Sequence, residues 1–356
     1  MATLSPVGQR SEAVATPPMA LPFLPACLPA PRNGVPVARS GSVAWGLVPL
    51  PQRAPRERTL ALTAVGFPGL ALDFEHERAT VDSQVAEVEL GRVGLAYLQA
   101  ERGAGTPPPE QVAAVAEMLR QFDLARPQLA RVELLGPVSL ALQVVDEQEH
   151  PSAYSPSLRE ALAQHLVLRA AWLREQIAAY VGCTVICLDE PFLDALGSPF
   201  CPLDRDSGMD LLARSLADLP APRGLCLAGT PDWASILALP VELICFDAYE
   251  HGAGLIRAAS AVAGFLEAGG AIAWGLVPTD PAALAQERAE TLAGRFESTV
   301  EYLAAAGNLG ASRIRAAALI STSGGLAHLP PELATRAAAL CGEVATHLRA
   351  KYQLER

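Results

Sequence analysis

From about residue 59 onward, short apolar runs bounded by turn residues alternate with longer segments whose apolar positions recur every three to four residues. The short runs are TLALTAV (59–65), RVELLGPVSLAL (131–142, turning at Gly136-Pro137), TVICLDEP (184–191), GLCLAG (224–229), VELICFDA (241–248), AIAWGLVP (271–278) and RAAALIS (315–321). Each has the length and bounding residues of a buried strand. Between them the helical spacing predicts helices over 109–122, 157–181, 207–219, 233–239, 255–268, 281–306 and 331–352. The clearest is SLREALAQHLVLRAAWLREQIAAYVG, with Leu158, Leu162, Leu166, Leu173, Ile177 and Tyr180 on or near one stripe and Gly182 as a stop.

Strands alternating with helix-length crossovers are the pattern of a parallel sheet. Seven runs, with an eighth expected near the N-terminus, give the count of a (β/α)8 TIM barrel. The expectation is one barrel domain over 1–356, with 1–60 irregular and rich in Pro, Gly and Arg, and 61–352 built of βα units.

Composition narrows the chemistry. The net charge of −11 comes without a clustered Lys/Arg stripe, which argues against nucleic acid. Lys351 is the only lysine, so Schiff-base and phosphate-loop lysine chemistry have no residue to carry them. Seven cysteines without framework spacing suit reduced thiols in a cytoplasmic protein, and MATLSPVGQRSEAV lacks the basic and apolar regions of a signal peptide. The longest apolar stretch, 258–278, is interrupted by Glu267 and Gly269-Gly270, so no membrane span is expected.

In a barrel the chemistry gathers where strands end. The polar strand ends here are Asp189-Glu190-Pro191, the turn GTPDW (229–233), Asp247 with Tyr249, Glu250 and His251, and STSGGLAHLP (321–330). An aspartate closing a strand also serves as the N-cap of the next helix, a role open to Asp232 before WASIL. Asp189 and Glu190 are adjacent and so point to opposite faces, leaving one of them in the barrel mouth. His251 and His328 are isolated, and Cys187 and Cys245, flanked by apolar strand residues, read as small hydrophobes.

Taken in order, LLGPVSLAL (134–142), VICLDEPFL (185–193), TPDW (230–233), ICFDAYEHG (244–252), LEAGGAIAWGLVPTD (266–280) and ALISTSGGLAHLPPELA (318–334) resemble the barrel of the cobalamin-independent methionine synthase and uroporphyrinogen decarboxylase superfamily, most strongly on the methionine synthase side. The resemblance implies methyl transfer from a folate or corrinoid donor to a thiol, with homocysteine as the type of acceptor and a methyl-donor protein as a conceivable partner. It also implies a zinc ion that deprotonates the acceptor thiol. In that family the ligands are a His-x-Cys pair, a Glu and a Cys. Here those positions fall on Cys226, Ala228, Asp247 and Gly324, so two ligands are missing and zinc is left short unless His251 or His328 completes the set. Asp189 matches the acid that anchors the substrate's amino group and, with Asp247, is the expected catalytic carboxylate. Glu190, Ser5 in TLSPVG, Trp274 and Ser323 are expected to bind substrate.

Two further readings follow from the same residues. A zinc-free barrel could act as a binding or accessory protein. A lyase nearer the decarboxylase branch would instead draw on Arg10, Arg32, Arg39 and Arg53 for a polycarboxylate.

Overall fold

The computed structural model describes residues 59–73, 76, 78–108, 115–116, 119–120, 122–123, 129–326 and 329–352, with the backbone alone at 24–25 and 129. Ser5, Arg10, Arg32, Arg39, Arg53 and His328 lie outside the described residues. The strands are β1 (Leu24–Pro25), β2 (Leu70–Asp73), β3 (Arg78–Val81), β4 (Leu129–Leu135), β5 (Val144–Val145), β6 (Cys183–Glu190), β7 (Arg223–Leu227), β8 (Leu243–Phe246), β9 (Ala271–Val277) and β10 (Ala318–Thr322). The α-helices are α1 (Thr59–Ala64), α2 (Ser83–Leu98), α3 (Pro137–Gln143), α4 (Pro156–Ile177), α5 (Arg205–Asp218), α6 (Trp233–Leu237), α7 (Ala248–Arg257), α8 (Ala259–Glu267), α9 (Pro281–Gln286), α10 (Ala289–Gly307), α11 (Ala311–Ala316) and α12 (Pro331–Tyr352).

One sheet runs β1-β10-β9-β8-β7-β6-β4 with every pairing parallel. Six of these strands form a curled half-barrel covered by helices, and β1 adds two residues at one edge. Helical crossovers explain the parallel pairing, because a strand can lie beside its predecessor in the same direction only after a long return. A second sheet, β2-β3-β5, mixes an antiparallel hairpin with one parallel pairing.

Two departures from expectation matter. TLALTAV is not a strand: it folds as α1 and packs on β4, where Thr63 Oγ1 accepts the Leu135 N–H at 2.8 Å and itself donates to Thr59 O at 2.6 Å. RVELLGPVSLAL is a strand only to Leu135, after which Gly136 and Pro137 open α3. Among the described residues the sheet is therefore a half-barrel, and closure into eight strands is not shown. The predicted helix over 255–268 is two helices meeting at non-helical Ala258, and that over 281–306 breaks at Glu287-Arg288, whose backbone is extended.

Helix starts follow local chemistry. Asp82, Asp204, Asp247 and Asp280 each accept a first-turn amide, and Ser155 does so ahead of Pro156 at the start of α4. The outward face of the sheet and the inner faces of the helices make the main core. Its centre is an aromatic ladder in which Trp233, Phe246, Trp274 and Phe296 meet edge to face at centroid distances of 5.0, 5.6 and 5.1 Å. A smaller cluster of Val185, Cys187, Cys226, Leu243, Cys245, Ala273 and Leu319 lines the inner face of the sheet.

Candidate functional site

Register fixes which side chains share the inner face. Asp189 of β6 lies opposite Cys226 of β7, Cys226 opposite Cys245 of β8, and Cys245 opposite Ala273 of β9. One step back along the strands, Glu133 of β4 lies opposite Cys187, and Cys187 opposite Gly224. Alternation then places Arg131, Glu133, Cys187, Asp189, Cys226 and Cys245 on one surface.

These groups are close in space. The sulfurs of Cys187, Cys226 and Cys245 all lie within 4.8 Å of one another, and all three residues are buried. Arg131 Nη1 donates to Cys245 Sγ at 3.4 Å, and the Cys226 thiol donates to Glu133 Oε1 at 3.7 Å. Arg131 and Glu133 form an ion pair that is mostly shielded from solvent. Room for the Cys187 sulfur exists because residue 224 is glycine: a Cβ there would stand 2.2 Å from Cys187 Sγ.

The electrostatics divide the three thiols. Hydrogen bonds from Cys187 and Cys226, helped by the charge of Arg131, hold the Cys245 thiol well below the ordinary thiol range. Burial pushes Cys187 well above it, and hydrogen bonding to Cys187 and Cys245 does the same for Cys226. Arg131 Nη1 at 3.4 Å makes Cys245 the sulfur of the three best placed to carry negative charge, while the single proton of the Cys226 thiol is aimed at Glu133.

Asp189 sits at the mouth end of this surface. Its carboxylate accepts no hydrogen bond among the described residues. Burial pushes it up to about 6, with Arg131 pulling down and Cys245 adding to the rise. Its neighbour Glu190 points the other way, into the layer between sheet and helices. There Oε1 accepts Val138 N–H at 2.9 Å and Oε2 accepts Ser139 N–H at 2.8 Å, so both oxygens are spent on the start of α3. Glu190 is fully buried, and burial raises its carboxyl to about 7 against those hydrogen bonds. The Asp-Glu pair thus splits into a facing group and a structural one.

Other expected site residues are scattered. Trp274 stands on the outer face of β9 at 1% exposure, inside the aromatic ladder and away from the inner surface. The cause is parity: Ala273 takes the inward position, so its neighbour must face the helices. Ser323 is half-buried at the rim, its hydroxyl accepting Thr279 N–H at 3.2 Å. Asp247 is half-buried and caps α7, with Oδ1 accepting Glu250 N–H at 3.0 Å, and burial raises its carboxyl. His251 is half-buried in the first turn of α7. The GTPDW turn is held by Asp194, whose Oδ2 accepts Thr230 N–H at 3.0 Å beside Gly229 at φ +71°. Asp232 occupies the N-cap position of α6 and takes the Ser235 hydroxyl at 2.7 Å.

The family's zinc set does not fit these residues. Ala228 and Gly324 are exposed and offer no ligand atom, and Cys226 turns to Cys187 and Cys245 in the one metal-capable group among the described residues. Cys187 and Cys245, read from sequence as small hydrophobes, do pack in the buried apolar cluster of the inner face, and they also belong to the metal-capable group, which the sequence reading did not bring together. The available signal was their spacing, since Cys187 stands two residues before Asp189 and Cys245 two before Asp247.

Surface cavities among the described residues lie elsewhere. One of about 690 Å³ opens between α2 and the segment 146–158, and one of about 700 Å³ lies beside Tyr97, Arg102, Arg174 and Asp218. No helix among the described residues is long and apolar enough to cross a membrane.

The fold and site together define a curled parallel α/β half-barrel with a thiol-rich inner surface. No family model matches the chain, and no curated protein matches it. Among solved structures it is similar to a B12-independent methionine synthase from Shewanella sp. W3-18-1 in complex with selenomethionine, at 15% identity and a TM-score of 0.47 over 66% of this chain and 67% of that one. It is also similar to a methyltransferase from Methanosarcina mazei, at 13% identity and a TM-score of 0.44 over 68% of this chain and 67% of that one.

Proposed function

We propose that the chain is a methyltransferase-type enzyme of a TIM-barrel-like fold, acting on the thiol of an amino-acid-like acceptor such as homocysteine. The observation that carries the reading is Asp189, a carboxylate on the inner face at a strand end that accepts no hydrogen bond among the described residues and whose burial makes its charge costly. Such a group is stabilised by a cationic ligand, and an ammonium supplies both the charge and the donors. The ordered motifs around Asp189, Cys226, Asp247 and Ser323 point the same way.

The roles follow from placement. Asp189 holds the acceptor's ammonium group. Arg131, on the same surface, favours negative charge on sulfur and so favours a deprotonated thiol in its neighbourhood. Asp247 and Ser323 stand at the ends of β8 and β10, where the remainder of a substrate would reach the rim. The methyl donor, a folate or a corrinoid, supplies an electrophilic methyl group, and the acceptor sulfur takes it while the donor leaves with the bonding electron pair. No step here runs through the family's zinc set, and a cytoplasmic location suits the reduced thiols.

A second reading has one observation in its favour. Ala228 and Gly324, standing where two ligands would be, fit a barrel that binds an amino-acid-like ligand without turning it over.

The test separates binding from turnover. L-Homocysteine and its deaminated analogue 4-mercaptobutyrate are titrated into the parent protein and Asp189→Asn. The expected result is a loss of about 10–100-fold for homocysteine alone, the size of one charge-assisted hydrogen bond. Equal affinity of parent and variant for homocysteine would remove the basis of the proposal. Methyl transfer from methyltetrahydrofolate or methylcobalamin then distinguishes enzyme from binding protein.

A further inference from the structure

We propose that Cys187, Cys226 and Cys245 form a zinc(II) site on the inner face of the sheet, a ligand set different from the one the family resemblance implies. It shares only Cys226 with that set. Its other ligands come from within β6 and β8 instead of from the turns that follow the strands.

Burial alone would not distinguish a ligand from a small hydrophobe, since unpaired cysteine is among the most buried residue types. Four observations go further. Three cysteines on three adjacent strands converge with every sulfur within 4.8 Å of the others. Tetrahedral zinc with bonds of about 2.3 Å places its sulfurs roughly 3.8 Å apart, so a contraction of at most about 1 Å completes the geometry. Gly224 leaves the volume into which Cys187 Sγ projects, a vacancy that any side chain would close.

Charge is the third observation. Three thiolates around one divalent cation leave a net charge of −1, and the Arg131 guanidinium, 3.4 Å from Cys245 Sγ and shared with Glu133, offsets part of it. Access is the fourth. Cys187 has no exposed surface, whereas Cys226 and Cys245 keep 8% and 6%, so what access the cluster has is at these two, of which Cys226 lies opposite Asp189 in register. Three protein sulfurs leave one position of the tetrahedron for an external ligand, as in zinc sites that do chemistry. The inference does not rest on the acceptor proposed above, because metal uptake and homocysteine affinity are read separately.

The experiment uses the reduced full chain. Metal content is measured on the purified protein, and the chelator-stripped protein is titrated with Zn²⁺ and with Co²⁺ as a spectroscopic reporter. The expected result is one equivalent of either ion, with an intense sulfur-to-cobalt charge-transfer band. Cys187→Ser, Cys226→Ser and Cys245→Ser should each weaken binding by more than about 100-fold, since even partners that only orient a ligand cost about 10–100-fold. Cys183→Ser and Cys201→Ser, outside the cluster, should leave binding unchanged.

A readout on the parent alone covers variants that fail to fold. Bound zinc should protect Cys187, Cys226 and Cys245 from alkylation in peptides mapped by mass spectrometry. Failure of the reduced, folded parent to take up a stoichiometric ion, unchanged uptake by a folded Cys187→Ser/Cys226→Ser variant, or a disulfide between two of the three cysteines would each overturn the assignment. None of those outcomes alters the Asp189 test.

Discussion

Replacing Gly224 with alanine tests the packing of the thiol cluster in one methyl group. The new Cβ would lie 2.2 Å from Cys187 Sγ, 3.2 Å from its Cβ and 3.4 Å from its Cα. Comfortable contact needs roughly 3.5–4.0 Å, so the sulfur must retreat by about 1.5 Å. Cys187 has one side-chain torsion and no exposed surface, which leaves it little room to do so. Overpacking of this kind costs about 1–3 kcal/mol. At about 2.1 cal/mol/K of unfolding entropy per residue, a chain of 356 residues loses roughly 1.3 °C per kcal/mol, so melting should fall by roughly 1–4 °C.

The companion variant makes the reasoning testable. Cys187→Ala alone removes one buried sulfur and should cost about 1 kcal/mol. The double variant Gly224→Ala/Cys187→Ala returns the missing volume, so its cost should fall below the sum of the two by at least about 1 kcal/mol, measured by urea unfolding monitored by circular dichroism. Additive costs within about 0.5 kcal/mol would refute the claim that Gly224 exists to seat the Cys187 sulfur.

Two further outcomes are expected. Because burial raises Asp189 to about 6, ammonium-ligand affinity should increase as pH rises from 5 to 7 and lose that dependence in Asp189→Asn, as titration calorimetry at several pH values would show. Its folded pKa lies above its unfolded one, so its contribution to stability falls as pH rises from 3.8 to about 6, and Asp189→Asn should be more stable than the parent at pH 7 by at most roughly 3 kcal/mol. Glu190→Ala should destabilise by about 2–5 kcal/mol by leaving the Val138 and Ser139 amides buried without acceptors, while Glu190→Gln, which keeps one oxygen, should cost less in the same unfolding assay.

The strands from β6 to β10 were legible because each is a short apolar run closed by turn residues, and burial on both faces leaves little else for such a run to be. TLALTAV has the same surface features, yet at seven residues an apolar run does not separate a buried strand from a short helix. Helix α2 escaped because its apolar residues ring it, with Val88 at 81% and Leu98 at 80% exposed. At the site, the opposition of Asp189 and Glu190 follows from alternation alone. The meeting of three cysteines does not, because it depends on the stagger between strands that pairs Asp189 with Cys226 and Cys187 with Gly224. Trp274 shows the same limit from the other side, since a motif marks a stretch of strand without stating which of its faces turns inward.

Helix α1 gives the sheet an unusual boundary. The outer edge of β4 would ordinarily offer its backbone to any passing strand, and such edges nucleate association between copies of a protein. Here the Leu135 N–H is already engaged by the Thr63 hydroxyl, which is fully buried. A side chain on a six-residue helix thus stands in for a neighbouring strand, and it does so without extending the ladder. Loosening of α1 with the sheet intact would free this amide on what is, among the described residues, the edge strand of the sheet, where pairing between copies can start.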